Sequence, residues 1–374
     1  MNKEIGIGII GYSGIGKLHT YSYMSIPLFY DMKGYRIKLK GVCNRSESTC
    51  LQAMNEAPFE FYTTDYKELL DRDDIHVINV CTPNSSHYPL IIDALKARKH
   101  VFVEKPLALT VQEAKEIVEL AQQTGLKNQL AFQYRFIPAT IKAKKLIESG
   151  ALGEIYHFSG SYLHSGYEDP ARPLTWRLQH KYSGGGALMD LGSHIIDLLL
   201  YLIGDFKSVS ASKATFIHER PLPSQPGLKG PVDVDDYCRL NVKTNSGAIG
   251  SIEASRFAVG TTDDLKFEIF GSKGSIKFSM MDPNFLYYFD ATSKEKGYTK
   301  IQTVHKYEES KSFPPPKSPV GWTRFSIANQ FHFIDSIINN KTNAPNFKDG
   351  LEVQKVMHYA YQSCDNSGKW INIE

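Results

Sequence analysis

An aspartate and a histidine four residues apart, Asp190 and His194, stand inside the apolar run Ser183 to Gly204, SGGGALMDLGSHIIDLLLYLIG. On a helix that spacing puts both side chains on one face, one turn apart. A carboxylate and an imidazole are costly to bury on an apolar helix unless they are paired or used. An imidazole beside a carboxylate is also a good proton acceptor near neutral pH. The stretch therefore reads as an acid–base element or as a core histidine satisfied by its neighbouring acid. Asp197, a further turn along, completes a set of metal-ligand types on one helix, but nothing elsewhere in the sequence supplies a persuasive fourth ligand. The run is expected to be too short and too interrupted to span a membrane, which takes ~20 apolar residues with few charges.

A lysine offers the complementary charge. Lys105 stands between Glu104 and Pro106 after a short apolar run, and Pro106 has no N–H with which to continue a sheet. Its ammonium is expected either to project into a cleft, where partial desolvation alters its acidity, or to lie on the surface at a turn. A glycine-rich turn, Gly11 to Gly16 (GYSGIG), follows the apolar run Ile5 to Ile10 and leads into a helix from Lys17. Strand, glycine turn and helix together let backbone N–H groups hold a pyrophosphate. Against the G-x-G-x-x-G pattern, Ser13 stands where the middle glycine belongs and Gly14 comes one place late. The strand Lys38 to Cys43 ends in Asn44 and Arg45 where an acid commonly binds the adenosine ribose, so the choice between NAD and NADP stays open.

These residues need elements that bring them to one edge. Val77 to Cys81, ending in Thr82-Pro83-Asn84, reads as a strand before a helix from Ser86 to Lys99; Val101 to Val103 and Leu130 to Gln133 read as further strands. Thr110 and Glu113 form a capping box for an intervening helix that Gly125 ends. This alternation predicts a parallel sheet with helices on both faces and ligands at the carboxyl ends of its strands, where Gly11, Asn44, Thr82 and Lys105 all fall. After the helix Pro138 to Ser149 the pattern changes. Ile155 to Ser165, Val234 to Lys243, Ala248 to Arg256, Leu265 to Phe270 and Ser275 to Met280 read as strands joined by turns, which predicts a largely antiparallel sheet. Arg220 to Pro231 reads as an exposed loop, Ser312 to Pro319 as a stiff proline-rich connector, and Thr323 to Asn340 and Asp349 to Ser363 as helices. The fold class expected is α/β plus α+β: a Rossmann domain over 1–133 and an open, mostly antiparallel domain over 134–374 with helices on one face.

A chain of 374 residues suits two domains with sizeable cores. A formal net charge of +3 excludes the basic stripe of a nucleic-acid binder. The start, MNKEIGIGIIG, lacks the order of a signal peptide, so a cytoplasmic protein is expected. Five scattered cysteines without a C-x-x-C pair indicate neither a disulfide framework nor a zinc site.

Taken together, GIIGYSGIG, CTPN ending at Asn84, EKP at Glu104 to Pro106, FQYRF at Phe132 to Phe136, and GGGALMDLGSHIIDL resemble the Gfo/Idh/MocA family of nicotinamide-dependent oxidoreductases, across essentially the whole chain. The resemblance implies a catalytic group of Lys105, Asp190 and His194. It implies cofactor contacts, to NAD or NADP, from Gly11, Ser13, Gly14, Ile15, Gly16, Asn44, Arg45, Thr82, Pro83, Asn84, His87, Glu104, Lys105, Gln133 and Arg135. Lys105, Asp190 and His194 also count towards substrate binding, with Tyr162, His164, Trp176, Arg177 and Tyr237, whose rings and polar tips suit a polyhydroxylated ring. The activity implied is interconversion of a secondary ring alcohol and a ketone on a sugar, glycoside or inositol, by a homo-oligomer assembled through the second-domain sheet, without nucleic acid or membrane partners. Redox-neutral glycosidase chemistry and a non-catalytic sugar sensor are the alternatives within the same family.

Overall fold

The computed structural model of the protein describes residues 3–304, 313–315 and 317–374. Strands β1 Lys3–Ile10, β2 Tyr35–Cys43, β3 Phe61–Thr63, β4 Val77–Val80, β5 His100–Val103 and β6 Asn128–Leu130 form a sheet in the order β3-β2-β1-β4-β5-β6. Every neighbouring pair in it is parallel. Helices α1 Gly14–Phe29, α2 Glu47–Glu56, α3 Lys67–Leu70, α4 His87–Lys96 and α5 Val111–Thr124 connect the strands. All four residues of β4 are buried, as expected of a continuous apolar strand covered on both faces. Both halves of the Thr110–Glu113 capping box are formed, and Gly125 closes α5 in the left-handed region. Strand order reverses between β1 and β4, the position at which such sheets bind ligands.

The strand expected over Leu130 to Gln133 stops at Leu130. The Phe132 N–H bonds back to the Leu130 carbonyl at 2.9 Å, which takes it off the ladder, and a 3₁₀ turn, Gln133–Phe136, follows.

Next along the chain come α6 Pro138–Glu148, β7 Ile155–His164, α7 His180–Ser183, a π-helical turn Leu188–Gly192, α8 Ser193–Ile203, β8 Phe206–Ala214, β9 Glu219–Pro221 and β10 Lys229–Pro231. They are followed by β11 Tyr237–Thr244, β12 Ile249–Ser255, β13 Asp263–Gly271, β14 Gly274–Ser279, β15 Phe285–Asp290 and β16 Tyr298–Gln302. The chain closes with α9 Trp322–Ile338, α10 Phe347–Asp365 and β17 Ile371–Asn372. The large sheet runs β16-β15-β14-β13-β7-β12-β11-β8-β17 and is antiparallel except where β12 meets β7. The expected loop Arg220 to Pro231 is instead bounded by a two-stranded hairpin, β9 with β10. Its Arg220 is fully buried and donates to the carbonyls of Asp169 at 2.6 Å and Tyr167 at 2.5 Å. The connector expected at 312–319 lies partly outside the described residues.

The chain divides into two units, Met1–Phe136 with His305–Leu351, and Ile137–Val304 with Glu352–Glu374. The sequence reading put all of 134–374 in the second domain, whereas α9 returns to the first unit. Its Ile327, Phe331, Phe333 and Ile334 are buried in one core with Ile5, Ile7, Ile9, Tyr30 and Phe102. Tyr30 stacks on Phe331 with ring centroids 3.7 Å apart. In the second unit the helical run His180–Ile203 covers 24 residues at a mean hydropathy of 1.5, long and apolar enough by those measures to cross a membrane, contrary to the expectation of a run too short; 78% of that window is nevertheless buried inside the protein.

Candidate active site

In the first unit the glycine turn has the shape its sequence implies. Gly11 has φ +95°, and a Cβ at Gly16 would stand 2.2 Å from the Gly11 carbonyl oxygen, so the start of α1 packs directly on the turn. A Cβ at Gly14 would meet nothing within 4 Å. Ser13 is the N-cap residue of α1, yet its side chain makes no capping hydrogen bond and the first turn carries no acid. An anion at this helix terminus therefore meets N–H groups and an uncommitted hydroxyl, with no acid in the helix's own first turn. After β4, the Thr82 hydroxyl is buried without a hydrogen-bond partner, a polar atom aimed at the same strand-end edge. Gly11–Gly16, Thr82 and the Asn84 turn thus fit a bound dinucleotide.

The turns around this edge are braced from beneath. His87 is fully buried between the Pro106 carbonyl oxygen, 2.7 Å from Nδ1, and the Thr82 carbonyl oxygen, 3.1 Å from Nε2. Burial holds its pKa below the usual imidazole value, and the ring lies between the turn after β4 and the turn after β5, donating to one of the two carbonyls when neutral. Glu104 is buried too: Oε1 lies 3.0 Å from His19 Nε2, and Oε2 accepts the Lys105 N–H at 3.2 Å. Burial works against the His19 imidazolium, but Cys81 and Glu104 outweigh it and lift its pKa to about 10. For Glu104 burial opposes ionisation and His19 overcomes it, leaving the pKa lowered. The result is a buried ion pair whose carboxylate grips the backbone of Lys105. Lys105 itself is partly exposed between two buried neighbours. Gln133 and Arg135 sit on the 3₁₀ turn, where Arg135 reaches Asp349 Oδ1 at 3.1 Å.

In the second unit the three glycines end α7 and admit a buried acid. Asp235 accepts the Gly186 N–H at 2.8 Å, the Leu188 N–H at 2.9 Å and the Tyr361 hydroxyl at 2.6 Å. A Cβ on Gly186 would fall 1.7 Å from the Asp235 carbonyl oxygen. Asp190 lies in the π-helical turn that follows and His194 in the first turn of α8, so they are not one turn apart on a uniform α-helix as the spacing predicted. Asp190 Oδ2 accepts from Arg256 Nη2 at 3.1 Å; the guanidinium side chain is 1% exposed and the carboxylate side chain 23%. Arg256 also donates to the Arg177 carbonyl at 3.2 Å and lies over the Tyr167 ring. The buried His194 ring packs on Tyr162, with centroids 5.8 Å apart. His164 stacks on Tyr167, and burial pushes its pKa down. Trp176 is half-buried beneath its neighbour Arg177, which is exposed.

Tyr237 is not brought together with these groups. The register Tyr237↔Ser255↔Leu163 beside Cys238↔Ala254↔Tyr162 puts it on the face of the sheet opposite Tyr162, and it interacts there with Glu253. Sequence reasoning passed over Arg256, Asp235 and His19. A lone arginine at a strand end, or an acid before one, gives no local sign of a distant partner.

The first unit carries a glycine turn that fits a dinucleotide, and the second a carboxylate paired with a buried arginine in the turn before the helix of His194. Residues 5–132 match the model described as oxidoreductase family, NAD-binding Rossmann fold, and residues 140–277 match the GFO/IDH/MocA C-terminal domain. Levoglucosan dehydrogenase of Pseudarthrobacter phenanthrenivorans is 34% identical over 386 residues, covering 99% of this chain and 98% of its own. The scyllo-inositol 2-dehydrogenase (NAD(+)) of Bacillus subtilis is 30% identical over 278 residues, 74% of each chain. The structure of levoglucosan dehydrogenase in complex with NADH and levoglucosan superimposes with a TM-score of 0.95 at 34% identity, over 100% of both chains. The chain belongs to the Gfo/Idh/MocA family of oxidoreductases.

Proposed function

We propose that the protein is a dehydrogenase that interconverts a secondary ring alcohol and a ketone on a sugar, glycoside or cyclitol. A bound nicotinamide supplies the hydride acceptor or donor. His194 takes the hydroxyl proton as the C–H bond breaks, and Asp190 orients a substrate hydroxyl. Lys105 stabilises the oxygen on which negative charge develops. The observation that carries the reading is the state of Asp190. Its carboxylate pairs with a fully buried arginine, and its side chain is 23% exposed in the turn that leads into the His194 helix.

The likeness to a levoglucosan dehydrogenase and to an inositol dehydrogenase supports rigid or ring-closed polyols as the first substrates to test. A panel of levoglucosan, inositols, monosaccharides and glycosides, followed by the absorbance of the reduced cofactor, tests the proposal. Turnover on at least one member with cofactor reduction is expected. Release of an aglycone without net cofactor reduction would replace this reading by the redox-neutral one. We further take the protein to be cytoplasmic and homo-oligomeric through its large sheet. One row across that sheet supports the oligomer: Tyr298, Phe289, Ser275, Phe270, His157 and Ile249 lie in register on the face away from α8, with Ile249 and Tyr298 exposed.

A further inference from the structure

We propose that Cys238 and Cys364 are a modification site at which a peroxide closes a reversible disulfide between β11 and α10. Both residues belong to the second unit, and both thiols are free.

Three contacts seat the end of α10 on the sheet there. The Tyr361 hydroxyl donates to Asp235 Oδ1 at 2.6 Å, Ser363 Oγ accepts the Ala211 N–H of β8 at 2.9 Å, and Lys213 Nζ donates to Asp365 Oδ1 at 2.9 Å. Lys213 is the register partner of Cys238 on β8. Cys364 stands three residues after Tyr361 on α10 and shares its face. The two thiols meet as hydrogen-bonding neighbours.

The thiols are unequal. Cys238 is fully buried, whereas Cys364 is half-buried. The hydrogen bond from Cys238, with the Lys213 ammonium adding to it, lowers the pKa of Cys364 in spite of burial. The same bond, together with burial, raises Cys238 well above the ordinary thiol value. The more acidic and more open thiol is the one an oxidant reaches first, and a second thiol in contact resolves it. Cys43, Cys50 and Cys81 are all buried; burial pushes Cys43 to about 12 and raises Cys50 as well. In a reducing compartment the pair stays as thiols until oxidant rises.

The Cys364 thiolate attacks one oxygen of hydrogen peroxide. An S–O bond forms, the O–O bond breaks, and the departing hydroxide takes up the proton Cys364 gave up, as water. Cys238 Sγ then attacks the sulfenic sulfur of Cys364: the S–S bond forms, the S–O bond breaks, and the hydroxide leaves with the Cys238 proton as a second water. The thiols lose the electron pair that the peroxide gains.

The test uses the whole chain, reduced, freed of reductant, exposed to hydrogen peroxide and digested with trypsin under non-reducing conditions. Cys238 falls in the fragment 230–239 and Cys364 in the fragment 356–369, each the sole cysteine of its fragment. The expected product joins these fragments, two of the five thiols disappear, and dithiothreitol restores them. Before oxidation, iodoacetamide should label Cys364 at least about tenfold faster than Cys238. Cys238→Ser should leave Cys364 as a sulfenic acid that dimedone traps. Fragments that stay unjoined after excess peroxide, a disulfide that links separate copies of the chain, or equal labelling of the two thiols overturns the proposal. None of these outcomes bears on the dehydrogenase reading, which the substrate panel tests separately.

Discussion

Asp235 anchors the turn that carries Asp190, and removing it should unseat that turn. The carboxylate is 3% exposed and accepts three hydrogen bonds, from the Gly186 and Leu188 N–H groups and the Tyr361 hydroxyl. A hydrogen bond to a charged group contributes roughly 1.5–3 kcal/mol. Tyr361→Phe removes one and leaves both N–H groups satisfied, so a loss of about 2 kcal/mol is expected. Asp235→Asn keeps one acceptor oxygen but turns an NH₂ towards a donor, which should cost more. Asp235→Ala strands two buried N–H groups, and the three bonds share one carboxylate, so a total of about 4–6 kcal/mol is expected rather than the full sum. Urea unfolding followed by fluorescence reads the order. Because two units need not unfold together, the transition to follow is the one that shifts. Turnover should fall in the same order while NADH affinity holds, since Asp235 lies in the second unit. Tyr361→Phe and Asp235→Ala variants both within about 0.5 kcal/mol of the parent would refute the anchoring role.

The His19–Glu104 pair makes stability depend on pH in a stated direction. Raised to about 10 from 6.5, His19 contributes in full below 6.5 and loses that contribution as pH rises towards 10. Glu104, lowered from 4.5, contributes in full above that value and loses it as pH falls. The pair's own contribution should therefore be largest between about 4.5 and 6.5 and decline on the alkaline side; His19→Gln should flatten that decline in the unfolding midpoint, and an unchanged slope would contradict the pairing. Gly16→Ala should lower the melting temperature and Gly14→Ala should not, because only the first places a methyl against backbone; equal effects in a thermal scan would count against the close packing. Breaking a buried ion pair costs roughly 3–5 kcal/mol, and the part-exposed Asp190 moderates this for Arg256→Met. That variant should lose turnover at least about tenfold with cofactor affinity unchanged, and Arg256→Lys should recover part of it.

The parallel sheet, its glycine turn and the capped α5 were legible because each is written in contiguous residues: an apolar run, a turn, a helix-capping pair. The Asp190–His194 pair was legible as two polar residues on an apolar helical run, but its geometry was not. Whether a helix widens into a π turn is decided by what holds its ends, here Asp235, and Asp235 belongs to another segment. The same holds for Arg220, read as part of an exposed loop but buried because the carbonyls of Tyr167 and Asp169 claim its guanidinium. Tyr237 was placed near the Asp190–His194 helix by its type, whereas its side of the sheet follows from register, which a single strand does not reveal. The return of α9 to the first unit rests on aromatic packing such as Tyr30 on Phe331, across almost the whole chain.

The central proposal is that Lys105 and His194 both serve the proposed hydride-transfer reaction. Single-turnover cofactor reduction by Lys105→Met and His194→Asn, on the substrate the panel identifies, tests it most directly. Each variant should lose about 10²–10⁴ of the rate while binding NADH within about threefold of the parent. Either variant reducing cofactor at the parental rate would contradict the account.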